Sequence, residues 1–120
     1  MRMADAVRKA VRKGFTIAQY DGYGHGKTVN LLGALYVGRF GGDEIEKDPL
    51  MITQRLRDEW PVLETQGRNV VGLGRALRSY SHTYTVSGWE KQSLLRTLAT
   101  LSSDGLVPPA VIEFLDVVRL

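Results

Sequence analysis

The most apolar part of the chain is residues 29–40, VNLLGALYVGRF. Only Asn30 and Arg39 interrupt the pattern, so a helix over these residues is apolar on nearly all sides. A helix of that kind is stable in water only when other elements surround it. Its apolar run at residues 31–37 is far shorter than the roughly 20 residues that cross a membrane. We therefore expect a buried helix at the centre of the fold and no membrane-spanning segment.

The part of the chain before this helix predicts an amphipathic helix, an extended segment and a loop. Over residues 2–13, apolar side chains recur at helical spacing and basic side chains form the opposite arc, until Gly14 ends the pattern. Residues 15–20, FTIAQY, are typical of an extended segment, and residues 21–27, DGYGHGK, are rich enough in glycine to predict a loop. We expect Thr28 to cap the central helix.

The part of the chain after the central helix predicts four more helices and one strand. Asp48 followed by Pro49 has the order of an N-cap and a first helical residue, which predicts a helix to about Trp60. The other predicted elements are a helix over residues 70–80 capped by Asn69, a strand over residues 82–86, a helix from a capping box at residues 87–90 to Ser102, and a helix from Pro108 to the C-terminus.

Length and composition limit the class of protein. With 120 residues and 13.4 kDa, the chain has the size of one compact domain. It contains no cysteine, which excludes disulfides, thiolate nucleophiles and thiolate-bound metals. The first thirteen residues lack the apolar region of a signal peptide, so we expect a cytoplasmic protein. We predict one domain over residues 1–120, mostly α with a small α+β character, with about six helices and one or two short strands.

The glycine-rich loop is a candidate phosphate site. Gly24, Gly26, Lys27 and Thr28 lie between an extended segment and a helix, where backbone N–H groups and a helix N-terminus can hold a phosphate. The pattern resembles a Walker A loop, but that loop requires glycine where Asp21 stands, and a carboxylate there repels phosphate. The alternative is a flexible loop without a ligand.

Five arginines form a second candidate site. Sixteen basic and thirteen acidic residues give a net charge of +3, a mild excess whose meaning depends on where the charges lie. The arginines of two consecutive predicted helices could contact nucleic-acid phosphates as in a helix-turn-helix variant, with the following strand as a wing. The alternative is an ordinary solvated face. The five residues are Arg55, Arg57, Arg68, Arg75 and Arg78.

The last predicted helix has a wider apolar arc than the surface helix of a monomer needs. Either it is deeply buried or it meets a partner, and the candidate interface is Val111, Phe114, Leu115 and Val118. We expect a non-enzymatic binding protein, an accessory or regulatory factor that acts on a protein partner or a second copy of itself. Nucleic-acid binding is the alternative function, and phosphate or nucleotide binding is the third.

No catalytic or metal-binding constellation is predicted. His25 and His82 lack a second ligand at helical spacing. The carboxylate pairs Asp43/Glu44 and Asp58/Glu59 are sequence neighbours, which do not face one shared cleft on a helix. We therefore expect no catalytic residues, no metal and no cofactor.

The order of an N-terminal amphipathic helix, the segment GFTIAQY at residues 14–20, a glycine-rich loop and LLGAL at residues 31–35 resembles an uncharacterised family of small proteins of actinobacteria and their phages. That family has a Gly-Trp-x-Gln-Gly-like segment and a Cys-x-Leu-Gly-Ala-Leu helix. Here Phe15 replaces the tryptophan, Ala18-Gln19 approximates the Gln-Gly pair, and no cysteine precedes Leu32. The resemblance implies a small, mostly helical fold and a phage or mobile-element origin, and it supplies no catalytic residue.

Overall fold

The computed structural model describes residues 1–80, 87–103 and 107–120. In these residues the chain forms six α-helices and a three-stranded sheet, so the mostly α, small α+β prediction is confirmed. The helices are α1 (Met3–Arg12), α2 (Leu31–Phe40), α3 (Pro49–Glu59), α4 (Leu73–Tyr80), α5 (Leu94–Ser103) and α6 (Pro108–Val118). The strands are β1 (Thr16–Ile17), β2 (Gly24–His25) and β3 (Thr28–Val29), and 3-10 turns occupy Pro61–Glu64 and Gly67–Asn69.

Helix α2 is the centre of the core, as its sequence predicts. Its residues 31–38 are all buried, and it packs against α1, α3, α5 and β3. The cap is Asn30, whose side-chain oxygen accepts a hydrogen bond from the Gly33 N–H at 2.9 Å. The prediction that Thr28 caps this helix is wrong, because Thr28 lies in β3 and the helix begins three residues later.

Helix α1 crosses α2 in close contact. A Cβ atom at Gly38 would lie 1.8 Å from the Ala6 backbone oxygen, so only glycine allows the two backbones to approach this closely. The outer side of α1 is tied to α6 by an ion pair between Arg8 and Asp116. The hydrogen bond that Arg8 donates to the Asp116 carboxylate raises the pKa of the Arg8 guanidinium above its usual range. Helix α1 is therefore fixed by backbone contact on one side and by charge on the other.

The sheet forms partly inside the predicted glycine-rich loop. Strand β3 is central: β1 pairs with it in parallel, with Thr16 opposite Thr28, and β2 pairs with it antiparallel, with Gly24 opposite Val29. Gly24 has a φ of +143°, and a Cβ there would lie 2.4 Å from the Thr28 carbonyl oxygen. Glycine is thus required by strand pairing here rather than by flexibility.

Among the later helices, α3 begins at its predicted residue and α4 does not. Asp48 accepts a hydrogen bond from the Leu50 N–H at 3.0 Å and Pro49 is the first residue of α3, as predicted. Helix α4 begins at Leu73 rather than at residue 70, because Gly72 adopts a φ of +85° that interrupts a helix. Asn69 consequently lies in a 3-10 turn and caps no α-helix.

Helix α5 also begins later than predicted. Residues 87–92 form turns in place of a helix started by the capping box. The turns are held by tertiary contacts: the Gly67 N–H donates to the Gln92 carbonyl, and the Leu94 N–H donates to the Thr65 carbonyl. In the predicted helix these backbone groups would have formed hydrogen bonds with one another. In the structure they form hydrogen bonds with residues 65–67 instead. The predicted strand at residues 82–86 lies outside the described residues.

Candidate functional site: an acidic cleft beside the sheet

A cleft of about 510 Å³ lies between the glycine-rich loop and the acidic loop that precedes α3. This volume is within the range of small-molecule and side-chain pockets. We call it the acidic cleft, and it is lined by residues 20–26, 44–47, Pro49 and Ile52.

One wall of the acidic cleft is fixed by the start of α2. The Asn30 amide donates to the Gly22 carbonyl at 2.5 Å, and the Asn30 backbone N–H donates to the Tyr23 carbonyl at 3.1 Å. A Cβ at Gly33 would lie 2.3 Å from the Tyr23 carbonyl oxygen, so this glycine lets the loop rest directly on the helix. The wall is thus held by backbone hydrogen bonds and close packing.

The opposite wall is built from residues 44–49. The Ile45 N–H donates to the Gly26 carbonyl at 2.9 Å, which joins the two loops. A Glu46 carboxylate oxygen accepts from the backbone N–H groups of Lys47 and Asp48, at 3.1 and 3.3 Å, and holds the turn before α3. The hydroxyl group of Tyr23, on the first wall, is hydrogen-bonded to that of Thr53 on α3. Both walls are therefore preformed.

The acidic cleft combines free carboxylates with an apolar floor. Three carboxylates, those of Asp21, Glu44 and Glu46, line it against one ammonium group from Lys47. Within the described residues, Asp21 and Glu44 are exposed and form no ion pair or side-chain hydrogen bond. The apolar part of the lining, which we call the floor, includes the buried Ile45 and Ile52, and Tyr20 in the same lining is 37% exposed.

This arrangement suits a cationic group on an apolar stem. The free carboxylates attract positive charge, and the aromatic and aliphatic lining contacts methylene groups. His25 lines the same cleft, and in the described residues no hydrogen bond joins its imidazole to a carboxylate. The geometry therefore supports recognition of a basic, partly apolar group.

The predicted phosphate site at Gly24, Gly26, Lys27 and Thr28 extends from β2 to the start of β3. The Lys27 Nζ atom donates to the Lys13 carbonyl at 3.2 Å and lies over the Phe15 ring, 5.3 Å from its centroid. Thr28 lies in the central strand, so α2 begins four residues after the lysine rather than directly after it. The cleft beside the glycines carries carboxylates, which repel a phosphate.

The predicted five-arginine surface is divided. Arg55 donates to the Tyr36 hydroxyl at 3.1 Å and stacks on Phe40, and Arg57 pairs with Glu64 at 3.5 Å. Helix α3 packs on α2 and the 61–64 turn, whereas α4 packs on α6 and the 67–69 turn. The two helices therefore do not form a helix-turn-helix pair. The remaining arginines, Arg68, Arg75 and Arg78, are exposed.

The predicted interface on α6 is part of the core. Val111, Phe114, Leu115 and Val118 are at most 7% exposed, in one cluster with α1 and α4 residues. They cannot meet a partner while this fold is intact, so the wide apolar arc reflects burial between neighbouring helices. His82 lies outside the described residues.

The sequence prediction missed the acidic cleft because its two walls are about twenty residues apart in the chain. One signal was present: Ile45 is the single apolar residue in the run DEIEKD at residues 43–48, and such a residue indicates that the loop packs on something. Comparison of the chain with protein-family models, curated proteins and solved structures finds no match. Among the described helices none is long and apolar enough to cross a membrane.

Proposed function

We propose that this protein is a non-enzymatic binding protein that captures a basic segment of a protein partner in the acidic cleft. The observation that carries the proposal is the pair of carboxylates, Asp21 and Glu44, which have no partner among the described residues and lie on two preformed walls above an apolar floor. A bound guanidinium or ammonium group would gain charge-assisted hydrogen bonds from them. Because the walls are preformed, less conformational entropy is lost on binding.

The surface next to the acidic cleft favours a peptide over an isolated small cation. Leu50 and Met51 follow the cleft residue Pro49 directly and are 79% and 37% exposed. Exposed apolar side chains beside a pocket are typical of protein-binding sites. We therefore expect the bound segment to carry an apolar residue next to its basic one.

The test is an NMR titration with four blocked peptides of the form Gly-X-Leu-Gly, where X is Arg, Lys, Gln or Glu. We expect the Arg and Lys peptides to shift the backbone amides of Gly22, Gly24 and Gly26. The double substitution Asp21→Asn/Glu44→Gln should abolish these shifts. The matched control, Asp58→Asn/Glu113→Gln, removes two exposed carboxylates outside the cleft and should retain them.

Two outcomes would refute the proposal. One is that the Glu peptide shifts the three glycine amides as strongly as the Arg peptide. The other is that the Asp21→Asn/Glu44→Gln protein binds the Arg peptide as tightly as the control protein does.

A further inference from the structure

Three exposed arginines lie in a part of the chain that has no acidic residue. Residues 65–89 contain Arg68, Arg75 and Arg78 and not one aspartate or glutamate. Among the described residues, none of the three side chains makes a hydrogen bond or an ion pair. They differ in this from Arg8, Arg39, Arg55 and Arg57, which all have partners. Their charge is available to a ligand.

Trp89 brings the elements that carry these arginines side by side. A Cβ at Gly67 would lie 2.0 Å from the Trp89 carbonyl oxygen, and a Cβ at Gly74 would lie 2.8 Å from the Cη2 atom of the Trp89 ring. Arg68 and Arg75 directly follow these two glycines. Arg78 is four residues after Gly74, on the same side of α4.

We call Arg68, Arg75, Arg78 and the half-buried Trp89 the arginine face. Its support is rigid, because the Arg68 N–H donates to the Glu90 carbonyl at 3.1 Å and the Gly67 N–H donates to the Gln92 carbonyl at 3.0 Å. The backbone segments that carry Arg68 and Trp89 are therefore joined before any ligand arrives.

We propose that the arginine face binds single-stranded nucleic acid, with the guanidinium groups on phosphates and the half-buried Trp89 against a base. Cationic side chains beside an aromatic ring are the usual composition of sites for single strands. A duplex would leave the indole without a base to stack on. The inference is independent of the acidic cleft, since the two sites share no residue.

The two tryptophans of the chain make fluorescence a specific probe of this site. Trp60 is 7% exposed and its indole N–H donates to the Met1 carbonyl at 2.8 Å, so a nucleotide cannot reach it. We expect dodecathymidylate to quench the fluorescence of Trp89 and a Trp89→Phe protein to show no quenching. The titration should be carried out at several salt concentrations.

The arginines are tested by a matched pair of triple variants. Arg68→Gln/Arg75→Gln/Arg78→Gln should lower the slope of log affinity against log salt by about 2, since each lost phosphate contact on a single strand contributes about 0.7. Arg2→Gln/Lys9→Gln/Arg12→Gln removes the same charge from exposed positions on or next to α1 that have no ion pair in the described part of the chain, and it should leave the slope unchanged. Unchanged urea unfolding curves would show that both variants fold.

Three results would overturn the inference. The first is no binding of dodecathymidylate at low salt. The second is an equal loss of affinity in both triple variants, which would indicate a response to net charge alone. The third is equal affinity for a twelve-base-pair duplex without quenching of Trp89.

Discussion

One buried amide, Asn30, links three parts of the molecule. Its side-chain oxygen caps α2, its Nδ2 group holds the Gly22 carbonyl, and its backbone N–H holds the Tyr23 carbonyl. Asn30 is 4% exposed, so water cannot replace a hydrogen bond that one of these groups loses. The residue therefore determines both the start of the central helix and the position of one wall of the acidic cleft.

Asn30→Ala tests this role. We expect it to lower the free energy of unfolding by about 2 kcal/mol, from the loss of a helix cap and of a hydrogen bond to a buried carbonyl. The control is Asn69→Ala, because Asn69 is exposed and caps no α-helix, and it should change stability by less than about 0.5 kcal/mol. Urea unfolding measures both. Equal losses would contradict the assignment of Asn30 as the cap.

At the level of elements, local signals predicted the start of helix α3 and failed for the starts of α4 and α5. Asp48 and Pro49 lie within one turn of the helix that they start, so the sequence contains the whole signal. The capping box at residues 87–90 has an equally good local pattern, but residues 90–94 bond to the 65–68 segment. A contact between segments more than twenty residues apart overrides the local preference for a helix. The spacing of apolar residues in the sequence does not indicate such a contact.

The contact between α1 and α2 gives a prediction at the same scale. Gly38→Ala should lower the free energy of unfolding by about 3 kcal/mol, because its Cβ would meet the Ala6 backbone and the helices must separate. The matched control is Gly74→Ala, also inside a helix, where the new Cβ would meet only the ring of Trp89. That ring can shift, so we expect a change within about 1 kcal/mol. Thermal or urea unfolding of both variants decides it, and similar losses would contradict the close packing.

At the level of the whole molecule, stability should depend on pH through Glu59. Its carboxylate accepts a hydrogen bond from the Arg39 Nε at 2.9 Å, and this contact lowers the pKa of Glu59 below its ordinary value of 4.5. The pair therefore stabilises the folded state fully above about pH 4.5, and the contribution is lost as pH falls through the lower folded pKa.

Glu59→Gln should thus cost up to about 1 kcal/mol at pH 7 and less at pH 3. The control is Glu113→Gln, which removes an exposed carboxylate that makes no ion pair in the described part of the chain. Urea unfolding at the two pH values gives four differences. If Glu59→Gln is equally costly at both, Glu59 does not have a lowered pKa in the folded protein.

The whole molecule also shows how far the sequence could predict a site. Apolar periodicity predicted the buried α2 and the helical class, because burial leaves its pattern in neighbouring residues, but it did not separate burial of α6 from contact with a partner. Charge alone did not separate Arg57, which pairs with Glu64, from Arg75, which has no partner in the described residues. Trp89 lies half-buried beside the two segments that carry Arg68 and Arg75, and only the fold brings them together.

The hydrogen bond between the Ile45 N–H and the Gly26 carbonyl joins the two walls of the acidic cleft. Ile45 is 6% exposed, so its amide proton can exchange with deuterated solvent only when the loops part. The exchange rate of this one amide proton therefore reports how often the two loops separate. An occupant that bridges both loops would slow this exchange.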